Sequence, residues 1–159
     1  MNIVTPELVQ EAIDLSLPTV RMLCKRDTWG PKGVVIAVFG KGLSTPVVYI
    51  MEELGARETW LDEGKPIDFE EIALQKLRGA SREGRTSHSI AVDKPWLLET
   101  GDSLYRGAVA EDQGLAAAAS GVHETMDETI AWIVLNIISG LCYKKVRELL
   151  TDQDIYVVP

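Results

Sequence analysis

The chain has 159 residues, of which 46% are hydrophobic and 25% are charged, proportions typical of a soluble globular protein. Its formal net charge of −8 argues against non-specific nucleic-acid binding, which depends on phosphate neutralisation by Lys and Arg, and against a polybasic membrane anchor. We expect a single domain, residues 1–159, large enough to bury roughly 70% of its unfolded surface.

The sequence also predicts the cellular compartment of the protein and the state of its two cysteines. The N-terminus lacks a basic segment followed by an apolar one, so no secretory signal is predicted, and the apolar run 130–141 falls short of the about 20 residues of a membrane span. Cys24 and Cys142 lie in apolar helical patterns, which favours two buried thiols over a disulfide or a metal site. We therefore predict a cytoplasmic protein that contacts neither nucleic acid nor membrane.

The first half of the chain predicts a helix and two strands. Thr5-Pro6 is typical of a helix start, and Pro18, inside the apolar pattern that follows, is expected to kink or split this helix. Residues 33–39 and 47–51 are β-branched runs joined by the loop 40–46, too short for a crossover helix, so we predict an antiparallel pair. Residues 56–65 are polar and irregular, with Trp60 and Leu61 expected to fold back onto the body.

A second helix is predicted to begin at Asp68, with Glu71 completing a capping box, and to end at Gly84. Residues 89–92 are interpreted as a short strand, after which residues 93–102 form a loop.

The strongest pattern is a hairpin followed by a long helix. Residues 104–110 and 115–119 read as strands joined by the tight turn 111–114, and a broad apolar stripe runs at helical spacing from Met126 to Cys142. Such a stripe needs a cover, most simply the sheet that the hairpin begins. Because the strands come in pairs, we predict an α+β fold with an antiparallel sheet, to which residues 155–158 add an edge strand or a tail.

Several short motifs resemble one family. Residues 73–87 follow a pattern of Ala, Lys and small residues that ends in Gly-Arg-(Pro)-Thr-Ser, and Ser120-Gly121 with the acidic pair Asp127-Glu128 is similar to the turn and acidic pair before the family's last helix. Residues 34–42 match its opening strand. The family is the GlcG/HbpS-like group, labelled haem-binding or haem-degrading, which also supplies the C-terminal domain of PduO-type cobalamin adenosyltransferases.

The resemblance implies a profilin-like fold, an antiparallel sheet flanked by helices, in symmetric oligomers, with haem as a ligand. Two departures bear on the ligand. The proline between Arg85 and Thr86 is absent, and residues 98–102 replace a Pro-Gly-Gly loop before the hairpin. Haem also needs an axial ligand, usually His, and this chain has only His88 and His123.

The candidate binding site lies at the end of the second helix. Arg78, Arg82 and Arg85 share a helical face that ends beside Ser87 and His88, and a planar guanidinium suits a small carboxylate or the propionates of a tetrapyrrole. The alternative is a set of cations placed favourably at a helix C-terminus and paired with surface acids.

His123 and Asp127 are secondary candidates, since they lie four residues apart at the start of the last helix. His123 can act as a ligand or proton carrier, or simply cap the helix. Two residues do not complete a metal site, so no metal is predicted. Ser87, His88 and Asp127 are the right types for a nucleophile, base and orienting acid, but the strained turn that exposes a nucleophile is missing.

Three functions remain open from the sequence. The first is a GlcG/HbpS-like protein that binds haem, a related tetrapyrrole or a small carboxylate near the arginines. The second is an accessory enzyme for a small hydroxy acid or related metabolite that uses His88 or His123. The third is a structural assembly protein without a small ligand. In each case we expect a homo-oligomer formed through the last helix or a sheet edge.

Overall fold

The computed structural model describes residues 2–26, 33–111 and 114–151, and these form helices on both faces of a sheet. The helices are α1 (Pro6–Arg26), α2 (Phe69–Glu83), α3 (Ser87–Asp93) and α4 (Glu124–Thr151). The strands are β1 (Val34–Phe39), β2 (Val47–Met51), β3 (Leu61–Asp62), β4 (Lys65–Pro66), β5 (Ala108–Ala110) and β6 (Ala116–Ser120), with single 3₁₀ turns at Arg57–Thr59 and Pro95–Leu97.

The main sheet has the order β2-β1-β6-β5, and each neighbouring pair is antiparallel. The predicted antiparallel α+β architecture is therefore confirmed, including the pairing of β5 with β6, and it is consistent with a profilin-like arrangement. The first hairpin strand is shorter than expected, because residues 104–106 lie outside the sheet. Gly107 has φ +131°, a conformation that extended strands do not adopt, so pairing of the strand begins only at Ala108.

Side chains alternate across β1 and so build two cores. Val34, Ile36 and Val38 pack with α1 and α4, whereas Val35 and Ala37 pack with α2 on the opposite face. All five are fully buried, which explains why β1 reads as an uninterrupted apolar run. The small side chains of β6 are buried too, and they let α4 and α2 approach the sheet closely from its two sides.

Local capping signals set the helix ends. Thr5 Oγ1 accepts a hydrogen bond from Leu8 N at 3.3 Å at the start of α1. Asp68 Oδ1 accepts from Glu71 N at 3.0 Å at the start of α2, and Gly84 ends that helix with φ +63°. The two helix starts and the end at Gly84 are therefore confirmed, whereas only the Asp68 half of the predicted capping box forms, since the Glu71 side chain accepts from Gln75 Nε2. Of the two outcomes expected at Pro18, a kink or a split, the split does not occur, since α1 continues through it.

Two further expectations are corrected by the structure. Residues 89–92 belong to α3 rather than to a strand, because Thr86 Oγ1 accepts from Ser89 N at 3.0 Å and starts a helix there. Trp60 is 1% exposed and stacks against Phe69 with ring centroids 5.0 Å apart, as predicted, but Leu61 is 45% exposed. Leu61 is exposed because it lies in the short β3–β4 hairpin, which is itself exposed.

Helix α4 extends well beyond the apolar run 130–141, from Glu124 to Thr151. Its segment Glu124–Leu150 is long and apolar enough to cross a membrane by length and composition alone. In this structure the helix packs against β5, β6 and α1, yet only 28% of its most apolar stretch is buried. Much of its surface is therefore left uncovered by the part of the chain that the structure describes.

Cys24 is buried and Cys142 is half-buried, and neither forms a disulfide within the described residues. Residues 27–32, which the sequence predicts as a loop, lie outside the described residues, as do residues 112–113 of the predicted turn and the segment 155–158.

Candidate functional site

A cavity of about 490 Å³ lies between α2 and the loop that joins β1 to β2. One face of α2 lines it with Leu74, Leu77, Arg78, Ser81 and Arg82, which recur at the three- and four-residue spacing of a helix. Phe39 at the end of β1 and the loop residues 44–46 line the other side. The spacing of the predicted arginines thus places two of them on one wall of a cavity.

Arg82 is held in place by carboxylates. Its guanidinium lies 2.7 Å from Asp102 Oδ2 and 2.7 Å from Glu83 Oε1, and it also donates to Leu97 O at 2.9 Å. The hydrogen bond to Asp102 is the main cause that raises the pKa of Arg82 further above its ordinary value. Burial by itself would raise the pKa of Asp102, but the bonds from Arg82 and from Glu99 N outweigh it and lower that pKa.

Arg78 is placed differently. Its only hydrogen bond within the described part of the chain is a long one, 3.4 Å from Nη1 to Gly101 O, and no carboxylate lies within ion-pair distance. The hydroxyl groups of Ser44, Thr45 and Ser81, which line the same cavity, make no hydrogen bond to any described residue. The cavity therefore presents one guanidinium and three hydroxyls that a ligand can engage.

The other predicted site residues do not line this cavity. Ser87 is buried at the start of α3, where its Oγ accepts from Ala108 N at 3.1 Å and ties α3 to the sheet. Arg85 and His88 are exposed. The lining contains no His, Cys, Met or Tyr, so the donor set of this cavity does not fit axial ligation of haem.

A buried ion pair lies elsewhere, at the start of α4. Lys76 Nζ donates to Asp127 Oδ2 and to Ala119 O, both at 3.0 Å, while Asp127 Oδ1 accepts from Val122 N at 3.2 Å. The two side chains are 2% and 4% exposed. Gly107 makes room for the pair, because a Cβ there would lie 2.7 Å from Lys76 Nζ.

This pair links α2, β6 and α4. Asp127 was a secondary candidate for chemistry, and here its carboxylate joins elements on opposite faces of the sheet. Sequence reasoning missed Lys76 as its partner; the only signal was a lysine on the inner face of α2, beside the buried Ala73, Leu77 and Ala80.

His123 precedes the first turn of α4. Its Nδ1 lies 2.8 Å from Thr125 Oγ1 and accepts from Thr125 N at 3.4 Å, and its carbonyl accepts from Met126 N and Asp127 N. These contacts fit the capping interpretation. Within the described ranges, no three His, Cys, Asp or Glu side chains gather where they would hold a metal ion.

Comparison with known proteins gives a likeness of fold. No family model and no curated protein matches the chain. The solved structure of Klebsiella pneumoniae protein ORFY, described by the family model DUF336, is similar with a TM-score of 0.57 and 17% sequence identity. The match covers 86% of this chain and 90% of that one.

Proposed function

We propose that the chain is a small-ligand-binding protein of the GlcG-like type, with a small carboxylate as ligand in the cavity between α2 and the β1–β2 loop. The fold likeness to ORFY supports the family, since DUF336 corresponds to GlcG-like proteins. The observation that carries the ligand assignment is Arg78, a guanidinium on the cavity wall that lacks a carboxylate partner among the described residues.

The rest of the lining suits such a ligand. Small-molecule sites are mainly apolar, with a few polar groups that set orientation, and here Phe39, Leu74 and Leu77 supply the apolar surface. A carboxylate bound by the fork of Arg78 would place its carbon skeleton against that surface. The hydroxyls of Ser44 and Thr45 add donors on the opposite wall.

The same geometry disfavours two alternatives. Haem would find no axial ligand in this cavity. An enzyme that uses His88 or His123 would need the imidazole beside the ligand, and neither histidine lines the cavity. The cytoplasmic location stays a prediction from the sequence.

The test is a titration of the purified protein with a panel of small carboxylic acids, followed by calorimetry. We expect at least one acid to bind, and Arg78→Gln to weaken it at least tenfold, since a charged hydrogen bond contributes about 1.5–3 kcal/mol. Arg85→Gln is the matched control, because Arg85 is exposed near the same helix end but lies outside the lining. Equal loss in both variants, or no binding at all, would reject the proposal.

We also propose a homo-oligomer formed through the uncovered face of α4. Trp132 and Tyr143 are 39% and 67% exposed and lie three turns apart, and Asn136 and Gly140 are exposed between them. Open space surrounds Gly140, so a second helix can approach there. Light scattering should show an oligomer that Trp132→Glu dissociates and that the exposed-residue control Lys144→Glu leaves intact; a monomeric wild-type protein would contradict this.

A further inference from the structure

We infer that the cavity selects acids that carry one carboxylate and an apolar body, and excludes dicarboxylates and other polyanions. This inference rests on the proposed function and names the class of its ligand. It follows from how the charges around the two cavity arginines are already matched.

Arg82 contributes little positive charge to a ligand. Three carboxylates surround its guanidinium: Asp102 and Glu83 at 2.7 Å and Glu99 at 3.4 Å. The charge of Arg78 is therefore the one left to balance a bound anion, and one guanidinium balances one carboxylate.

The carboxylate of Asp102 is fixed. Its side chain is 2% exposed, and it accepts from Arg82 at 2.7 Å and from Glu99 N at 2.9 Å. Near-complete burial and these two bonds hold it in one position. The charge also lies against the helix that carries Arg78, because a Cβ on Gly79 would be 3.5 Å from Asp102.

A second negative charge on the ligand would find no unmatched cation, and it would lie near the acidic cluster of Glu83, Glu99 and Asp102 that surrounds the cavity residue Arg82. Like charges brought together in a partly desolvated site repel strongly, and the hydroxyls of Ser44, Thr45 and Ser81 do not neutralise charge. Loss of the second charge removes this penalty. An apolar chain in its place gains contact with Phe39, Leu74 and Leu77.

The matched pair for a test is hexanoate and adipate, which have the same number of carbon atoms and differ by one terminal carboxylate. We expect calorimetry at pH 7 and constant ionic strength to show hexanoate binding at least about tenfold more tightly than adipate, with acetate weaker than hexanoate. Arg78→Gln should abolish the preference by removing hexanoate binding.

Two variants test the role of the acidic cluster. Glu99→Gln changes a carboxylate that is 65% exposed, so the fold should tolerate the substitution. The variant should bind adipate more tightly and so reduce the difference in affinity between the two acids. Asp102→Asn should narrow it further; if that variant does not fold, Glu99→Gln decides alone.

The outcomes separate the two claims. If adipate binds as tightly as hexanoate, or if Glu99→Gln leaves their difference in affinity unchanged, the selection by charge is wrong, whereas the proposal that the cavity binds a carboxylate is retained. Failure of both acids and of the wider panel overturns the proposed function and this inference together.

Discussion

Replacement of Lys76 by Met should destabilise the protein more than any comparable change at its surface. Methionine keeps most of the side-chain volume but removes the ammonium group that lies 3.0 Å from Asp127 Oδ2 and from Ala119 O. The carboxylate of Asp127, 4% exposed, would then remain buried with its positive partner gone. One hydrogen bond from Val122 N would still reach it.

The magnitude follows from that geometry. Removal of one partner of a buried ion pair typically costs about 3–5 kcal/mol, because the remaining charge is desolvated without compensation. The bond from Val122 N offsets only part of this cost, and Ala119 O also loses a donor. Since domains of this size are stable by about 5–15 kcal/mol, the variant should lose a large share of its stability.

Chemical denaturation measures this directly, and a double variant supplies the control. Lys76→Met with Asp127→Leu removes both charges, so it should recover most of the loss and retain a deficit of about 1–2 kcal/mol from the orphaned Val122 N. Lys144→Met tests an exposed pair, with Glu148, and should change stability by less than about 1 kcal/mol. Two results would contradict this prediction. One is that Lys76→Met unfolds at the same denaturant concentration as the wild type; the other is that the double variant loses as much unfolding free energy as Lys76→Met and Asp127→Leu lose together.

Two further predictions concern backbone and pH. Gly107→Ala should destabilise the fold by more than about 1 kcal/mol in the same assay, because φ is +131° and the new Cβ would meet the Lys76 ammonium at 2.7 Å; wild-type stability would refute the close approach. Asp102 has a folded-state pKa below its ordinary 3.8. The ionised carboxylate therefore stabilises the folded state above pH 3.8, and this stabilisation is lost as the pH falls through the lowered pKa. Unfolding curves measured from pH 6 to 2 should show that the free energy of unfolding falls, and the fall should be smaller in Asp102→Asn. An equally steep fall in the variant would show that another group causes it.

Much of the fold was predictable because its signals are local. Helix starts at Thr5 and Asp68 and the end at Gly84 need only one or two neighbouring residues to satisfy backbone groups. The antiparallel pairing follows equally from loops too short to allow a crossover. Helical spacing also predicted that Arg78, Arg82 and Arg85 share one face, but only the first two lie on α2, because Gly84 ends the helix before Arg85.

Short segments were less predictable, because their patterns are ambiguous. Residues 89–92 contain too few positions to separate a strand from a helical turn, and the cap from Thr86 decided in favour of α3. Pro18 disfavours a helix locally, yet α1 continues through it, with Leu17 and Val20 buried on either side.

The sequence by itself determined the order of the three long helices and the strands of the main sheet, the antiparallel pairing and the face of α2 that carries Arg78 and Arg82. Only the tertiary structure decided which charges are already matched: Asp102 reaches Arg82 across 20 residues and Asp127 reaches Lys76 across 51. The physical reason is that periodicity and capping act within a few residues, whereas ion pairing depends on distances in space that chain separation does not encode.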